Sequence, residues 1–559
     1  MNILILGAGL MQKPAILSAK ELGFTVCVID ANDKAVAIPY AHKFKKIDLK
    51  DKEGILEYAK ELQLEQNGGL AGVFTAGTDF SASVSFVCQK LSLPSHSFEA
   101  ATNASVKTQM RQCFKNHNVP SPEFFSVSKE QIQSESQINQ LLQTITSKIE
   151  YPFVVKPVDN MGARGCRMVR SQNEFASAIK VATESSRTNT AIVEEYMEGP
   201  EYSIDALVYN GTFTITGFAE RHIKYPPYFI EVGHTMPAIL EEDKYNQLVS
   251  VFALGAKSLG LTTGAAKADI KWTKNGPMIG EIAGRLSGGY MSGWTYPYAS
   301  DINLTKQGIL IACGKEPEQL IKNRISVKFQ PSEKCKNAEK PYELFQIPCK
   351  RTSAERAWMS IPGTVEYIEN IQEFTDKAVF DTLPRATVTL GSKVDFPRNN
   401  IEKCGNIISV SHNHQIAQQV SQDAVSNIFI TLKPNTKETD DFLQCKTYDD
   451  EKDFPPSAFG KLTQNQLEKI EGTIPKDSKV QEFIPEIIKK DFSEKIDWNY
   501  NISDRMKMGG RGGYEFFPED GNDLYTITQW YPRMCVYSDF KGWQTNQFTG
   551  RGEFALVFG

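Results

Sequence analysis

The sequence predicts a chain of several α/β and α+β domains, and three observations predict it. At 559 residues it exceeds what one hydrophobic core organises, so three or more domains are expected. From residue 1 to about 100, apolar runs alternate with amphipathic stretches, the βαβ rhythm of a parallel sheet. Beyond that, hairpin signals interleave with helical ones, and from about residue 495 aromatics and glycine dominate. The resulting division is an α/β domain at 1–105, a two-lobed α+β domain at 106–325 and a small β-rich lobe at 326–440. A linker or peripheral tail (441–490) and a β-rich appendage (491–559) follow.

In the first domain, MNILILGAG is an apolar strand ending in glycine, with a helical pattern and the strand FTVCVIDAN behind it. FKKIDL, a helix through Ile55 and Tyr58, and GLAGVFTAGTD continue the rhythm. GAG at 7–9 is a partial dinucleotide turn. The full GxGxxG is broken because position 12 is Gln. Asp30 is placed to hold a ribose, but a tight strand-to-helix turn without nucleotide explains the glycines better. From Lys107 a helix runs to about Asn118 before a proline-marked extended segment. YPFVVKPV (151–158) reads as a strand, DNMGARG as a loop, and SQNEFASAIKVA as a helix opened by a capping box of Ser171 and Glu174. AIVEEYM is a strand, and EYSIDALVYNGTFTITGFAE is a hairpin turning at Asn210-Gly211. A helix near 243–260 precedes the strands GAAKADIKWT and GPMIGEIAGR. In the β-rich lobe, IPGTVEYIE, ATVTLGSKVDF and NIISVSHNHQ read as strands and IAQQVSQDAV as a helix.

Composition excludes several functions. Hydrophobic residues make up 41% and charged residues 23%, with a net charge of −5, so no basic surface for nucleic acid is indicated. No apolar run approaches the ~20 residues of a membrane helix. The N-terminus reads as a buried strand rather than a signal peptide. Ten scattered cysteines without a CxxC pair fit reduced thiols and a cytoplasmic location. Seven histidines and no HExxH give no zinc-protease signature.

Four features of the middle segment carry chemistry. Lys156 lies inside an apolar strand, where an ammonium needs an anionic partner; a lysine snorkelling to the sheet edge is the plainer reading taken alone. Gly162 and Gly165 in DNMGARG let backbone N–H groups approach an anion, although an ordinary turn would contain them too. VEEYMEGPEYS (193–203) is a strand running into an extended linker that ends in Glu201. It offers backbone groups to a flat base and a carboxylate to ribose hydroxyls. Asp269 and Glu281 lie on neighbouring strands of an expected hairpin. Two close carboxylates repel unless a cation sits between them, and the hard cation that accompanies phosphates is Mg²⁺. Arg285 can neutralise a transferring phosphoryl group, and Gly288-Gly289 opens the backbone beside it. Tyr290, Met291, Trp294, Tyr296 and Tyr298 suit either a pocket wall or core.

In this order the features resemble the ATP-grasp superfamily over residues 1 to about 440. The resemblance implies a Rossmann-like first domain on the substrate side, carrying no nicotinamide, and an ATP-grasp domain closed by the β-rich lobe. It implies that Lys107 and Lys156 bind ATP phosphates under a flexible loop containing Gly162 and Gly165. Glu194 would meet the adenine amino group, backbone atoms of Glu195 and Met197 would complete adenine recognition, and Glu201 would bind ribose. Asp269 and Glu281 would hold Mg²⁺, for which Mn²⁺ can substitute. Arg285, with Lys156 and Glu281, would carry the acyl-phosphate step, and Arg221 or Lys224 would add a third phosphate-side cation. One departure is plain. The family's metal motif commonly reads Glu-x-Asn-x-Arg, and here Ala283 stands at the Asn position, so either water replaces that ligand or one of two metal sites is weakened.

The implied activity is an ADP-forming ligase that joins a small-molecule carboxylate, with an amino acid as one candidate, to an amine or thiol. A homodimer is compatible with it. Two other readings stay open: a non-catalytic ATP-binding or scaffold protein, and a nicotinamide-dependent oxidoreductase using GAG and Asp30. The tail is a separate matter. QWYPRMCVYSDFKGW and GRGEFALVFG resemble the N-terminal β-domain of aminopeptidase N-like metallopeptidases. No zinc ligand accompanies them, so the expectation is a fused or truncated fragment without peptidase chemistry.

Overall fold

The computed structural model describes residues 1–369, 381–426, 428–433, 436–438 and 543–545. The chain divides into two units. The first comprises Met1–Arg221, His234–Ala354 and Val410–Ala417, and the second His222–Gly233, Glu355–Ser409 and Gln418–Gly559.

The first unit opens with strand β1 (Asn2–Leu6), helix α1 (Lys13–Glu21), β2 (Thr25–Asp30), β3 (Lys43–Lys46), α2 (Lys52–Gln63) and β4 (Leu70–Phe74). All the pairings are parallel, in the order β3-β2-β1-β4. Every residue of β1 is buried, as expected of a strand covered on both faces. Helices α3 (Ser81–Leu91) and α4 (Phe98–Asn103) lead to α5 (Lys107–Asn116). In the GAG turn Gly7 is left-handed at φ 96°, and Asp30 accepts a hydrogen bond from the Ala8 N–H at 2.8 Å. The Asp30 carboxylate closes the turn.

A second lobe is built from β5 (Phe124–Ser128), α6 (Glu135–Thr146), β6 (Phe153–Pro157), β7 (Arg167–Val169), α7 (Gln172–Ser185) and β8 (Thr190–Glu195). Its sheet runs β5-β8-β6-β7, antiparallel throughout, over a core that includes Phe153, Phe175 and Val193. The capping box expected at the start of α7 does not form. Ser171 makes no side-chain cap, and the Glu174 carboxylate reaches one residue further, to the Arg170 N–H at 2.8 Å.

The sheet that matters most continues with β9 (Glu201–Tyr209), β10 (Thr212–Lys224), β11 (Ile230–Met236), α8 (Glu242–Leu259), β12 (Gly264–Thr273) and β13 (Gly276–Ala283). Asn210 and Gly211 both take φ > 0, the turn that an Asn-Gly hairpin demands. Strands β13, β12 and β9 pair antiparallel, and β9 pairs with β10. Alternation along β12 sorts its residues. Ala266, Ala268 and Ile270 join the core under α5 and α8 with Phe114 and Phe252. Lys267, Asp269 and Lys271 therefore share the opposite face.

Within the second unit, Gly363–Glu369 pairs antiparallel with Lys393–Val394 and with Phe429–Leu432. Trp543–Thr545 forms a strand antiparallel to Phe429–Leu432. The rest of the expected β-rich appendage and the expected linker at 441–490 lie outside the described residues. Among the described residues no helix is long and apolar enough to cross a membrane.

Candidate active site

The charged face of β12 and β13 faces residues brought from α5, β6 and β8. Lys107 and Arg111 are four apart on α5 and so share one face. Arg111 donates from Nε to Glu194 Oε1 at 2.8 Å and from Nη2 to the Gly280 carbonyl at 2.5 Å. On the paired strands Val154 lies opposite Glu194, which makes Lys156 its diagonal neighbour on the same face. Lys156 Nζ stands 2.6 Å from Glu194 Oε2. Glu194 is thus clamped between two cations and is only 3% exposed. Burial pushes its carboxyl up, but Arg111 and Lys156 outweigh that and hold it at about 2. Both of its oxygens pair with these cations.

Lys107 donates to the Asn160 carbonyl at 3.1 Å and lies 3.7 Å from Glu281 Oε1. It thereby ties the glycine loop to the acidic strand. In that loop Gly162, Ala163 and Gly165 are all left-handed, and the Arg164 and Cys166 N–H groups donate to the Met161 and Ala163 carbonyls at 3.4 and 3.1 Å. A Cβ on Gly165 would meet Ser185 Cβ at 2.7 Å, so the position demands glycine on two counts. Cys166, at the end of the loop, is half-buried, and desolvation raises its thiol to about 11.

Asp269 and Glu281 are direct cross-strand partners. Burial works against the Glu281 charge, yet Lys107, Lys267 and Lys156 hold its pKa below the usual carboxylate value, with Asp269 opposing them. Asp269 contacts Lys267 and lies 3.2 Å from Arg221 Nη1. Arg221 also pairs with Glu201, and Lys271 Nζ lies 3.4 Å from Glu201 Oε2. Lys271 further donates to the Met197 carbonyl at 3.0 Å and sits 4.9 Å over the Tyr196 ring. The Glu195 N–H is donated to the Glu123 carbonyl at 3.0 Å. Lys224 belongs to the second unit.

Arg285, just past β13, pairs with Asp79 beyond β4: Nη2 is 2.5 Å and Nε 2.7 Å from Oδ1. Burial disfavours its charge, but Asp79 outweighs this and raises its pKa. Asp205 on β9 is fully buried. It accepts hydrogen bonds from the Ser287 N–H at 3.0 Å and the Ser287 hydroxyl at 2.8 Å. Burial raises its carboxyl to about 6 against those bonds. Of the residues after Gly289, Tyr290, Met291 and Tyr296 are core, and Tyr296 donates to the Ser203 carbonyl at 2.9 Å. Trp294 and Tyr298 are half-buried.

Two carboxylates make a Mg²⁺ site only in the company of phosphate oxygens. Among the described residues no group of three or more His, Cys, Asp or Glu could hold a metal. Ala283 faces Lys267 across the strand pair, so that cation stands where a further ligand would project. The donor set therefore fits an ion carried in on a nucleotide's phosphates and does not fit an all-protein cage.

Residues 149–293 match the family described as the ATP-grasp domain. That stretch is similar to the ATP-grasp domain. This matched stretch contains the glycine loop, the paired acids and Arg285. Among curated proteins, carnosine synthase 1 of Homo sapiens is 24% identical over 56% of this chain and 40% of its own length. Alanine–anticapsin ligase of Bacillus subtilis strain 168 is 23% identical over 50% of this chain and 61% of its own. The chain thus spans less than two thirds of either relative. Among solved structures, the L-amino acid ligase from Bacillus licheniformis superposes with a TM-score of 0.61 at 18% identity, covering 77% of this chain and 98% of that one. The mixed α/β fold is that of ATP-grasp ligases, with a parallel N-terminal sheet and antiparallel sheets around the ATP-grasp domain.

Sequence reasoning missed five charged residues of the site: Asp79, Arg111, Asp205, Lys267 and Lys271. Arg111 was signalled by its i+4 spacing from Lys107, and the two lysines by their alternation with Asp269. Asp79 and Asp205 carried no comparable signal, since loop packing and strand order bring them in.

Proposed function

We propose that the protein is an ATP-dependent ligase that activates a carboxylate as an acyl phosphate and joins it to an amine or thiol, releasing ADP and phosphate. The observation that carries this reading is the cross-strand pair Asp269–Glu281 facing Lys107 and Lys156, with Arg285 at the end of the same strand. A carboxylate oxygen of the substrate attacks the γ-phosphorus, the bond to the β-phosphate bridging oxygen breaks, and ADP leaves. The amine or thiol then attacks the acyl carbon and expels phosphate. Lys107, Lys156 and the loop of Gly162 and Gly165 bind the ATP phosphates. Glu195 and Met197 line the adenine side, and Glu201 takes the ribose on exchanging its contacts with Arg221 and Lys271. Asp269 and Glu281 hold Mg²⁺, which when bound neutralises charge on the phosphoryl group. Arg285 steadies the activated carboxylate. Preorganised charge of this kind is the main resource of phosphoryl transfer, so the shortage of histidine is no obstacle.

The relatives named for amino-acid ligation support an amino acid as the small-molecule substrate. A cytoplasmic location and a homodimer belong to the reading as expectations. The segment after residue 490, with its aminopeptidase-like words, takes no part in the ATP chemistry, and ending the chain at Lys490 is expected to preserve ATP binding.

The test is ADP release over a panel of amino acids and small carboxylic acids with Mg·ATP, comparing wild type with Glu281→Gln. An acid-stimulated release that falls about 10²–10³-fold in the variant supports the reading. Wild-type turnover in Glu281→Gln at limiting Mg²⁺ removes Glu281 from the ligand set.

A further inference from the structure

We infer that Asp79 and Arg285 together form a receptor for a zwitterionic α-amino acid, Asp79 taking its ammonium and Arg285 the carboxylate that is activated. The inference rests on the ligase reading and deepens it. It says which substrate is the amino acid: the one activated, recognised by a residue of the first domain.

The two residues come from loops locked together by backbone. Ala76 and Leu286 form a parallel bridge, and the Gly77 N–H donates to the Leu286 carbonyl at 3.2 Å. Gly77 takes φ 64°, and a Cβ there would stand 3.1 Å from Gly288 Cα, so only glycine permits the approach. Gln12 clamps the first loop from below, accepting from the Ala76 N–H at 3.1 Å while its amide donates to the Ala76 carbonyl. The separation of Asp79 from Arg285 is therefore set by the fold and not by two roaming side chains.

The place is also where a ligand is expected. The loops after β1 and β4 leave the carboxyl ends of adjacent parallel strands, the crevice in which open α/β sheets bind ligands. On its other side Arg285 lies four residues past Glu281, and the charge of Glu281 contributes to raising its pKa.

The valences of the pair are incompletely spent. Arg285 has five N–H donors. Nε and Nη2 engage Oδ1 of Asp79, and Nη1 donates to the Leu286 carbonyl at 3.1 Å. Oδ2 of Asp79 makes no hydrogen bond to a described residue. Neither side chain is sealed off: Asp79 is 23% and Arg285 12% exposed. An acid and a guanidinium held side by side present adjacent opposite charges, and an α-amino acid presents the same two charges in reverse. A plain carboxylic acid would satisfy Arg285 alone and leave Asp79 facing an apolar carbon, at the cost of a charge-assisted hydrogen bond. A merely structural ion pair would show no preference between the two.

The test uses matched pairs of each α-amino acid and its des-amino acid, for example alanine with propionate and phenylalanine with 3-phenylpropionate. ADP release is measured for the full chain, for Asp79→Asn and for Asp79→Glu, with the thermal shift on Mg·ATP reporting folding of each variant. In wild type, the amino acid of a productive pair is expected to exceed its des-amino partner by about 10–100-fold in kcat/KM, the worth of a hydrogen bond to a charged group. Asp79→Asn should collapse that ratio, chiefly through KM for the amino acid, and Asp79→Glu should restore part of it. Equal use of both members by wild type, or a fall by the same factor for both in Asp79→Asn, overturns the inference while leaving the ligase reading standing. No ADP from any pair sinks the ligase reading, and this inference with it.

Discussion

Replacing Glu194 with Gln tests the charge clamp that sets the phosphate side of the site. Glu194 is buried between Arg111 Nε at 2.8 Å and Lys156 Nζ at 2.6 Å, and its carboxyl is held at about 2 instead of 4.5. That depression of roughly 2.5 pH units corresponds to about 3 kcal/mol of folding stability at neutral pH. Glutamine keeps the shape but leaves two buried cations facing an amide, and breaking a buried pair on one side costs about 3–5 kcal/mol. The two routes agree on a loss of about 3 kcal/mol or more, of order 10 °C in Tm at ~2–4 °C per kcal/mol for domains of 150–250 residues. The sign with pH follows from the depressed pKa. The contribution is fully present above the unfolded value near 4.5 and is lost as pH falls toward 2, so the gap between wild type and variant should shrink across that window. Thermal unfolding from pH 7 down to pH 3 measures it. A variant within 1 kcal/mol of wild type at pH 7, or a gap that does not narrow in acid, would refute the clamp.

Other expectations follow from the same geometry. Asp205→Asn keeps an oxygen for both Ser287 donors and removes a buried charge. The wild-type carboxyl is raised from 3.8 to about 6, so stability falls as pH rises through that interval and stays lower above it. The variant should therefore be the more stable protein at pH 8, by up to about 3 kcal/mol, with little advantage near pH 4. A difference independent of pH in paired unfolding curves would show that folding does not raise the Asp205 pKa. Ala283→Asn adds an oxygen ligand opposite Lys267 and beside Glu281. It should tighten Mn²⁺ binding in the presence of ATP, read by the loss of the free Mn²⁺ resonance signal. An unchanged titration would mean that residue 283 does not face the ion.

Much of this was legible in the sequence, for definable reasons. Period-two alternation in GAAKADIKW and GPMIGEIAGR, with one polar turn between them, fixes a hairpin, and the hairpin aligns Asp269 with Glu281 in register. Asn210-Gly211 fixed a second turn by backbone chemistry alone. The glycines of the 159–165 loop announced a backbone that must turn left-handed. What stayed hidden depended on contacts between distant segments. Asp79 and Arg285 are 206 residues apart and meet only because the first sheet's loops pack on the loop after β13. Glu194 was legible as an acid near the nucleotide, but its clamp was not, because Arg111 arrives from a helix 83 residues away. The capping box at Ser171 misled because the pattern fixes only spacing, and Glu174 found the neighbouring N–H instead. The aromatics after Gly289 could line a pocket or fill a core, and burial places Tyr290 and Tyr296 in the core.

The most direct test of the central claim is the fate of carboxylate oxygen. With the stimulating acid labelled by ¹⁸O in its carboxylate, turnover with Mg·ATP and the amine should deliver one labelled oxygen into the released phosphate, alongside ADP. Release of AMP and pyrophosphate, or of phosphate carrying no label, would contradict activation through an acyl phosphate.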